Sequence, residues 1–126
     1  MSAEELRPVE AMRPVEEIGP IVREIVQDVT LANPRPVGRI QTRRITMQPD
    51  VAGGLHLHNG PVVGSIERGS AFYQVEGGAV VTLEAGDTFY EEEGARIARF
   101  DAGPEGVVFL AHFPVGTHEE PTLTML

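Results

Sequence analysis

Apolar and polar residues alternate in short runs along most of the chain, which is the pattern of β-strands with one buried face. Strands are predicted at residues 62–67, 71–76, 79–83, 88–91, 96–100 and 107–113, with one or two more in 37–47. Glycine-containing turns separate these runs about every 8 to 10 residues, which is typical of a sandwich or barrel. The sequence therefore predicts an all-β domain over residues 36–120, followed by a tail over residues 121–126.

The N-terminal part follows a different pattern. The tetrapeptide RPVE occurs twice within residues 1–19, and its prolines predict a flexible or extended arm. Apolar residues then recur at helical spacing, which predicts a short helix over residues 20–33 with Pro20 in its first turn. Its many β-branched residues leave a strand as the alternative. Such a helix would either cap the apolar end of the barrel or cover the mouth of a pocket.

Composition excludes several classes of function. The chain of 126 residues carries a net charge of −9, so it lacks the basic surface that nucleic acids require. It has no cysteine, which excludes disulfides, thiolate metal sites and a cysteine nucleophile. All ten basic residues are arginine, which excludes a Schiff base on a lysine side chain. With no apolar run of about 18 residues and no signal peptide at its start, the chain is expected in the cytoplasm, away from membranes.

The segment GGLHLHNG carries the strongest chemical signal. In a strand, His56 and His58 point to the same side and Leu57 to the other. Two neutral imidazoles on one face can share an ion of Fe, Mn, Ni, Cu or Zn. The same histidines, with ordinary pKa values near 6.5, also suit proton transfer. The pair alone leaves both interpretations open, together with that of a solvated pair.

The segment resembles the first sequence motif of the cupin superfamily, G(x)5HxH(x)3-4E(x)6G. His56, His58 and Gly69 match, whereas Asp50 stands in place of the opening glycine and Val62 in place of the glutamate. The resemblance covers roughly residues 40–115. It implies a single jelly-roll barrel, a homodimer and a small-molecule substrate in the barrel lumen. The short helix would precede this barrel.

The second cupin motif, G(x)5PxG(x)2H(x)3N, is degenerate in this chain. Gly86 and Gly94 match, but Ile97 stands in place of the histidine and Asp101 in place of the asparagine. The resemblance implies that position 97 faces the lumen. By strand alternation Arg99 and Asp101 would then face inward as well, and Phe100 outward. Arg99 would either pair with Asp101 or a glutamate, or bind a substrate carboxylate.

Other polar side chains could complete the site. Glu91, Gln74 and His112 are the further candidates for metal ligands, with His112 equally interpretable as a buried structural histidine. Tyr90 could add a hydroxyl group, while Val62 and Ile97 would add apolar surface for a substrate.

Three functions remain open from the sequence. The favoured one is cyclisation or isomerisation of a largely apolar substrate by His56, His58, Arg99 and Glu91. The second is a mononuclear metal-dependent oxygenase that uses His56, His58 and a carboxylate. The third is a non-catalytic barrel that binds a small ligand. The breadth of chemistry found on this fold is the reason that the resemblance does not decide among them.

Overall fold

The computed structural model describes residues 15–126, which divide into two units at Thr30. In the first unit, strands β1 (Val15–Ile18) and β2 (Ile21–Glu24) form an antiparallel hairpin. Residues 25–37 contain neither helix nor strand. The helix predicted over residues 20–33 is therefore wrong, and the alternative of a strand holds for Ile21–Glu24. The β-branched residues Ile21 and Val22 favour an extended backbone in this segment. Of the predicted N-terminal arm, residues 1–14 lie outside the described part.

The second unit contains one antiparallel sheet of seven strands, which confirms the all-β prediction. They are β3 (Arg39–Met47), β4 (His56–His58), β5 (Val62–Val75), β6 (Val81–Glu84), β7 (Thr88–Glu91), β8 (Ile97–Val115) and β9 (Leu123–Met125). The order along the sheet is β6-β5-β8-β4-β9, with β3 paired to β8 and β7 paired to β5. Among residues 15–126 there is no helix that could cross a membrane.

The two long strands β5 and β8 organise this sheet. β5 pairs with β7 through residues 62–65 and with β6 through residues 70–73, while β8 runs along its other edge. The turn predicted around Gly69 is instead an irregularity within β5, because Gly69 pairs with Val107 and the register shifts on both sides of it. A side chain at position 69 would collide with the carbonyl oxygen of Gly106, so the close approach of the two strands requires glycine there.

The inner faces of the strands enclose an aromatic core. Phe100 and Phe109 lie with their ring centroids 4.5 Å apart, and Phe89 packs edge-on against both at 5.3 and 5.9 Å. Tyr73 joins the same cluster. These rings fill one part of the interior between the strands. The part that they leave unfilled lies next to His56 and His58.

The C-terminal residues extend the sheet. The sequence predicted a tail over residues 121–126, but Leu123–Met125 forms β9 and pairs with β4. Leu123 lies opposite His58, and Met125 lies opposite His56. The tail prediction is thus wrong for these three residues. The alternation of leucine, threonine and methionine is compatible with a strand, but the segment is too short for periodicity to identify it.

Candidate metal centre

Strand β4 holds the two histidines on the inner side of the sheet. His56 pairs with Ile97 of β8, and the whole strand also pairs with β9. The two imidazole rings lie edge to face, with centroids 5.2 Å apart and planes at 84°. His56 is buried and His58 nearly so. Strand alternation therefore brings both rings to one place, as their spacing predicted.

Glu91 brings a carboxylate to the same place from a different strand. It is the last residue of β7 and lies directly opposite Val62 of β5, with only 4% of its side chain exposed. Its Oε1 atom lies 3.2 Å from Nε2 of His58 and 4.0 Å from Nε2 of His56. One carboxylate oxygen thus faces both imidazoles in a buried position.

A backbone contact fixes the orientation of the His56 ring. Its Nδ1 lies 2.8 Å from the carbonyl oxygen of Gly54. A carbonyl can only accept a hydrogen bond, so Nδ1 is the donor and Nε2 is the nitrogen left to face Glu91. This is the arrangement by which proteins orient a metal-binding histidine.

The donor set fits a divalent transition metal. One ligand atom from each of His56, His58 and Glu91 lies within 4.8 Å of the others. Because bonds from such an ion to nitrogen or oxygen are about 2.0–2.2 Å long, donors around one ion lie about 3–4 Å apart. Two imidazoles and one carboxylate are the ligands of many mononuclear metal sites that leave positions open for other molecules.

A cavity of about 170 Å³ adjoins the three donors. Its walls contain His56, His58 and Glu91 and are otherwise formed by apolar residues and Gly53. The apolar lining consists of Ile45, Met47, Val62, Phe89, Phe100, Phe109, Ala111, Phe113 and Leu123. An apolar protein cavity of about 150 Å³ holds a benzene molecule, so this space suits a small organic group. Phe113 also contacts the His58 ring, at 5.8 Å between centroids.

Tyr73 is a buried phenol next to this site. Its hydroxyl donates a hydrogen bond to the carbonyl oxygen of Tyr90 at 3.3 Å. Burial raises the pKa of Tyr73 far above its usual value, and the negative charge of Glu91 raises the pKa further. The phenol therefore stays protonated at every physiological pH and cannot serve as a base.

The structure brings together four of the residues proposed from the sequence. His56, His58, Val62 and Glu91 all line the cavity. Ile97 is fully buried and lies opposite His56 in the register, as its predicted inward orientation requires, but it belongs to the core and not to the cavity lining, so it does not supply the predicted substrate surface.

The predicted orientation of Arg99 is wrong because of a β-bulge. Gln74 pairs with Arg99, but the next residue of β5, Val75, pairs with Ile97, so Ala98 is an extra residue in β8. The alternation of sides shifts by one after Ile97. Phe100 consequently lines the cavity, whereas the Arg99 side chain is 54% exposed and pairs with Asp101 at 3.4 Å.

Three other candidates also lie outside the cavity lining. Gln74 donates to the carbonyl oxygen of Gly78 at 2.8 Å, and Nδ1 of His112 is 2.8 Å from the hydroxyl of Thr42. Tyr90 lies between Phe89 and Glu91 in β7 and therefore points to the opposite side of the strand. His112 likewise alternates with Ala111 and Phe113, which both face the cavity.

Sequence reasoning missed most of the apolar wall. The strand predicted over residues 107–113 reads VVFLAHF, and its alternate residues Phe109, Ala111 and Phe113 line the cavity. Their period of two was the available signal. No comparable signal identified Leu123, since its position depends on the pairing of β9 with β4.

Comparisons with known proteins bear on the fold. No protein-family model matches the chain, and no curated protein matches its sequence. Among solved structures, a DMSP lyase from Ruegeria pomeroyi is 20% identical, with a TM-score of 0.59 over 68% of this chain and 43% of that chain. Oxalate decarboxylase from Bacillus subtilis is 24% identical, with a TM-score of 0.60 over 69% of this chain and 24% of that chain.

A third match is an oxalate oxidase in complex with the substrate analogue glycolate. It is 17% identical, with a TM-score of 0.57 over 69% of this chain and 46% of that chain. The chain thus spans less than half the length of these three proteins. The shared architecture shows that it has the cupin fold, as the histidine motif predicted.

Proposed function

We propose that the protein is a mononuclear metal-dependent enzyme that acts on a small, largely apolar molecule. The convergence of His56, His58 and Glu91 at the end of an apolar cavity is the observation that carries this proposal. The hydrogen bond from His56 to Gly54 supports it, because it occupies Nδ1 and leaves Nε2 as the available ligand atom beside a buried carboxylate. Two lone pairs facing each other in a buried site are stabilised by a cation or a proton between them.

The chain supplies the ligands and the shape of the site. Nε2 of His56, Nε2 of His58 and a carboxylate oxygen of Glu91 would hold the ion. A metal bound in this way supplies Lewis-acid or redox chemistry and leaves positions for a substrate. The phenyl rings around the cavity exclude water and orient the apolar part of the substrate.

Oxygenase chemistry is the reaction class that we favour. Two histidines with one carboxylate and open positions are characteristic of non-haem iron(II) oxygenases. The solved structures with this fold bear the names of a lyase, an oxidase and a decarboxylase, so the fold alone does not select the reaction.

A second candidate is metal-free isomerisation or cyclisation. Nε2 of His58 and Oε1 of Glu91 are 3.2 Å apart, so a protonated His58 would donate a hydrogen bond to the carboxylate. Such a pair can take a proton from one atom of a substrate and return it to another. The exposed position of Arg99 removes the guanidinium that the sequence had assigned to this mechanism.

Metal analysis after purification without an affinity tag tests the proposal. We expect about one Fe, Mn, Ni, Cu or Zn ion per chain in the wild type, and loss of that ion in His56→Ala and Glu91→Gln. Glu92→Gln is the matched control because it changes the neighbouring carboxylate, which is exposed and outside the cavity lining. Its metal content should equal that of the wild type.

The same variants separate the two candidates. A wild-type protein that binds none of these metals at saturating concentration would refute the metal-dependent function. Turnover that survives complete chelation and is lost in His58→Ala would then support the acid–base mechanism. Equal loss of metal in Glu92→Gln and Glu91→Gln would show that the bound ion lies elsewhere.

A further inference from the structure

A guanidinium does reach the edge of the cavity, but it comes from β3. Alternate residues of this strand face the same side, and two of them, Ile45 and Met47, line the cavity. Arg43 is the next residue on that side and lies opposite Ala111, which also lines the cavity. Arg43 is exposed and is not itself part of the lining, so the alternation places it outside the cavity, at the rim.

Two contacts position the Arg43 side chain. Its Cζ atom lies 4.8 Å from the centroid of the Phe113 ring, which is a cation–π contact. Its Nε atom donates a hydrogen bond to Oε1 of Gln41 at 2.6 Å. Phe113 in turn contacts the His58 ring, so a single phenyl ring separates the guanidinium from a proposed metal ligand.

The charge of Arg43 is not neutralised by an acidic side chain within the described residues. Ion pairs engage five other arginines of residues 15–126, namely Arg35, Arg39, Arg44, Arg96 and Arg99. Arg43 instead donates to the neutral Gln41. Its two terminal amino groups therefore remain available, in the planar geometry that binds a carboxylate through two hydrogen bonds.

We propose that Arg43 binds the carboxylate of the substrate, and that the substrate is a small monocarboxylate with an apolar body. The substrate body would enter the cavity and place its reacting atom near His56, His58 and Glu91, a step that rests on the proposed function. The cavity lining contains neither arginine nor lysine, so the rim is where an anionic end group gains a positive partner. Arg43 would thus select the substrate and set its orientation.

Calorimetric titration of the metal-free protein tests this role without relying on the metal. Straight-chain carboxylates from butanoate to octanoate are compared with the primary alcohols of equal length. We expect the wild type to prefer the carboxylate at the best chain length, and Arg43→Gln to bind that carboxylate about 10- to 100-fold more weakly. Binding of the alcohols should not change in the variant.

Arg99→Gln is the matched control, because it removes the same charge from an exposed side chain that faces away from the cavity. It should leave both affinities unchanged. The proposal would be overturned by carboxylate affinity that survives Arg43→Gln, by an equal loss in Arg99→Gln, or by a wild type that binds no carboxylate in the series. A wild type without metal affinity would refute the proposed function and leave this titration unaffected.

Discussion

Glu91 and Val62 lie directly opposite each other on neighbouring strands. This pairing explains why the site contains a carboxylate although position 62 is a valine. The resemblance to the cupin motif implies a glutamate where this chain has Val62. Directly opposed residues of antiparallel strands lie on the same side with their Cβ atoms about 5 Å apart. The carboxylate at position 91 therefore reaches the histidines from the strand opposite.

Exchanging the two residues tests this relation. Glu91→Val should lower metal affinity at least about 100-fold, because the proposed site loses its charged ligand. The double variant Glu91→Val with Val62→Glu should regain a large part of that affinity, since the carboxylate returns from the facing strand. Competition with a metal-binding dye measures both affinities.

Val62→Glu alone supplies the control for this exchange. Without metal it places two carboxylates side by side in a buried site, so its melting temperature should fall. Added metal should restore most of that loss. A double variant that binds metal no more tightly than Glu91→Val would contradict the proposed equivalence of positions 62 and 91.

The β-bulge at Ala98 determines which side chains of β8 face the cavity. Upstream of it Ile97 is fully buried beside His56, and downstream of it Phe100 takes the inward position that alternation assigned to Arg99. Bulges re-aim side chains near functional sites, and nothing in the residues ARIARF marks where the extra residue lies.

The bulge predicts that substitutions at positions 97 and 99 differ strongly in their effect on stability. Ile97→Ala should lower the free energy of unfolding by about 2–5 kcal/mol, because it leaves a cavity in a closed core. Arg99→Ala should change it by less than about 0.5 kcal/mol, because the side chain is exposed and its ion pair is at the surface. Urea denaturation measures both values. A larger loss in Arg99→Ala than in Ile97→Ala would contradict the register.

What the sequence could predict depends on how far apart in the chain the interacting residues lie. The alternation of apolar residues and the spacing of His56 and His58 are local signals, so the all-β fold and the histidine pair were predicted correctly. Which side of β8 Arg99 and His112 face depends on the cross-strand register, and the local sequence does not encode that register. The β2 strand was predicted as part of a helix because Ile21, Val22 and Ile25 recur at helical spacing, whereas its pairing with β1 is a contact that this spacing does not encode.

Across the second unit, Arg35 joins segments that are distant in the chain. It donates to the carbonyl oxygen of Asn59 at 3.0 Å and to Glu93 at 2.6 Å, and it also pairs with Glu119. The side chain of Asn59 in turn accepts a hydrogen bond from the backbone N–H of Thr122 at 2.8 Å. Asn59 follows His58 directly, so this network connects the end of β4 to the segment that leads into β9.

Substitution of Arg35 should therefore destabilise the protein in a pH-dependent manner. The backbone N–H of Gly116 and the guanidinium of Arg35 lower the pKa of Glu119 below its ordinary value of 4.5. A lowered pKa means that the ionised carboxylate stabilises the fold above pH 4.5, and that this contribution is lost as the pH falls through the lowered pKa. Arg35→Gln should thus lower the melting temperature at pH 7 by a few degrees, and its difference from the wild type should shrink below pH 4.5.

Arg96→Gln provides the comparison, because Arg96 forms a single exposed ion pair with Glu76. Surface pairs of this kind contribute little, so its melting temperature at pH 7 should fall less than that of Arg35→Gln. Because Leu123 closes one wall of the cavity from β9, Arg35→Gln should also weaken binding of hexanol to the metal-free protein, whereas Arg96→Gln should not. Equal melting temperatures for the two variants, or a loss for Arg35→Gln that is constant from pH 7 to pH 3, would show that the connection between β4 and β9 does not depend on this arginine.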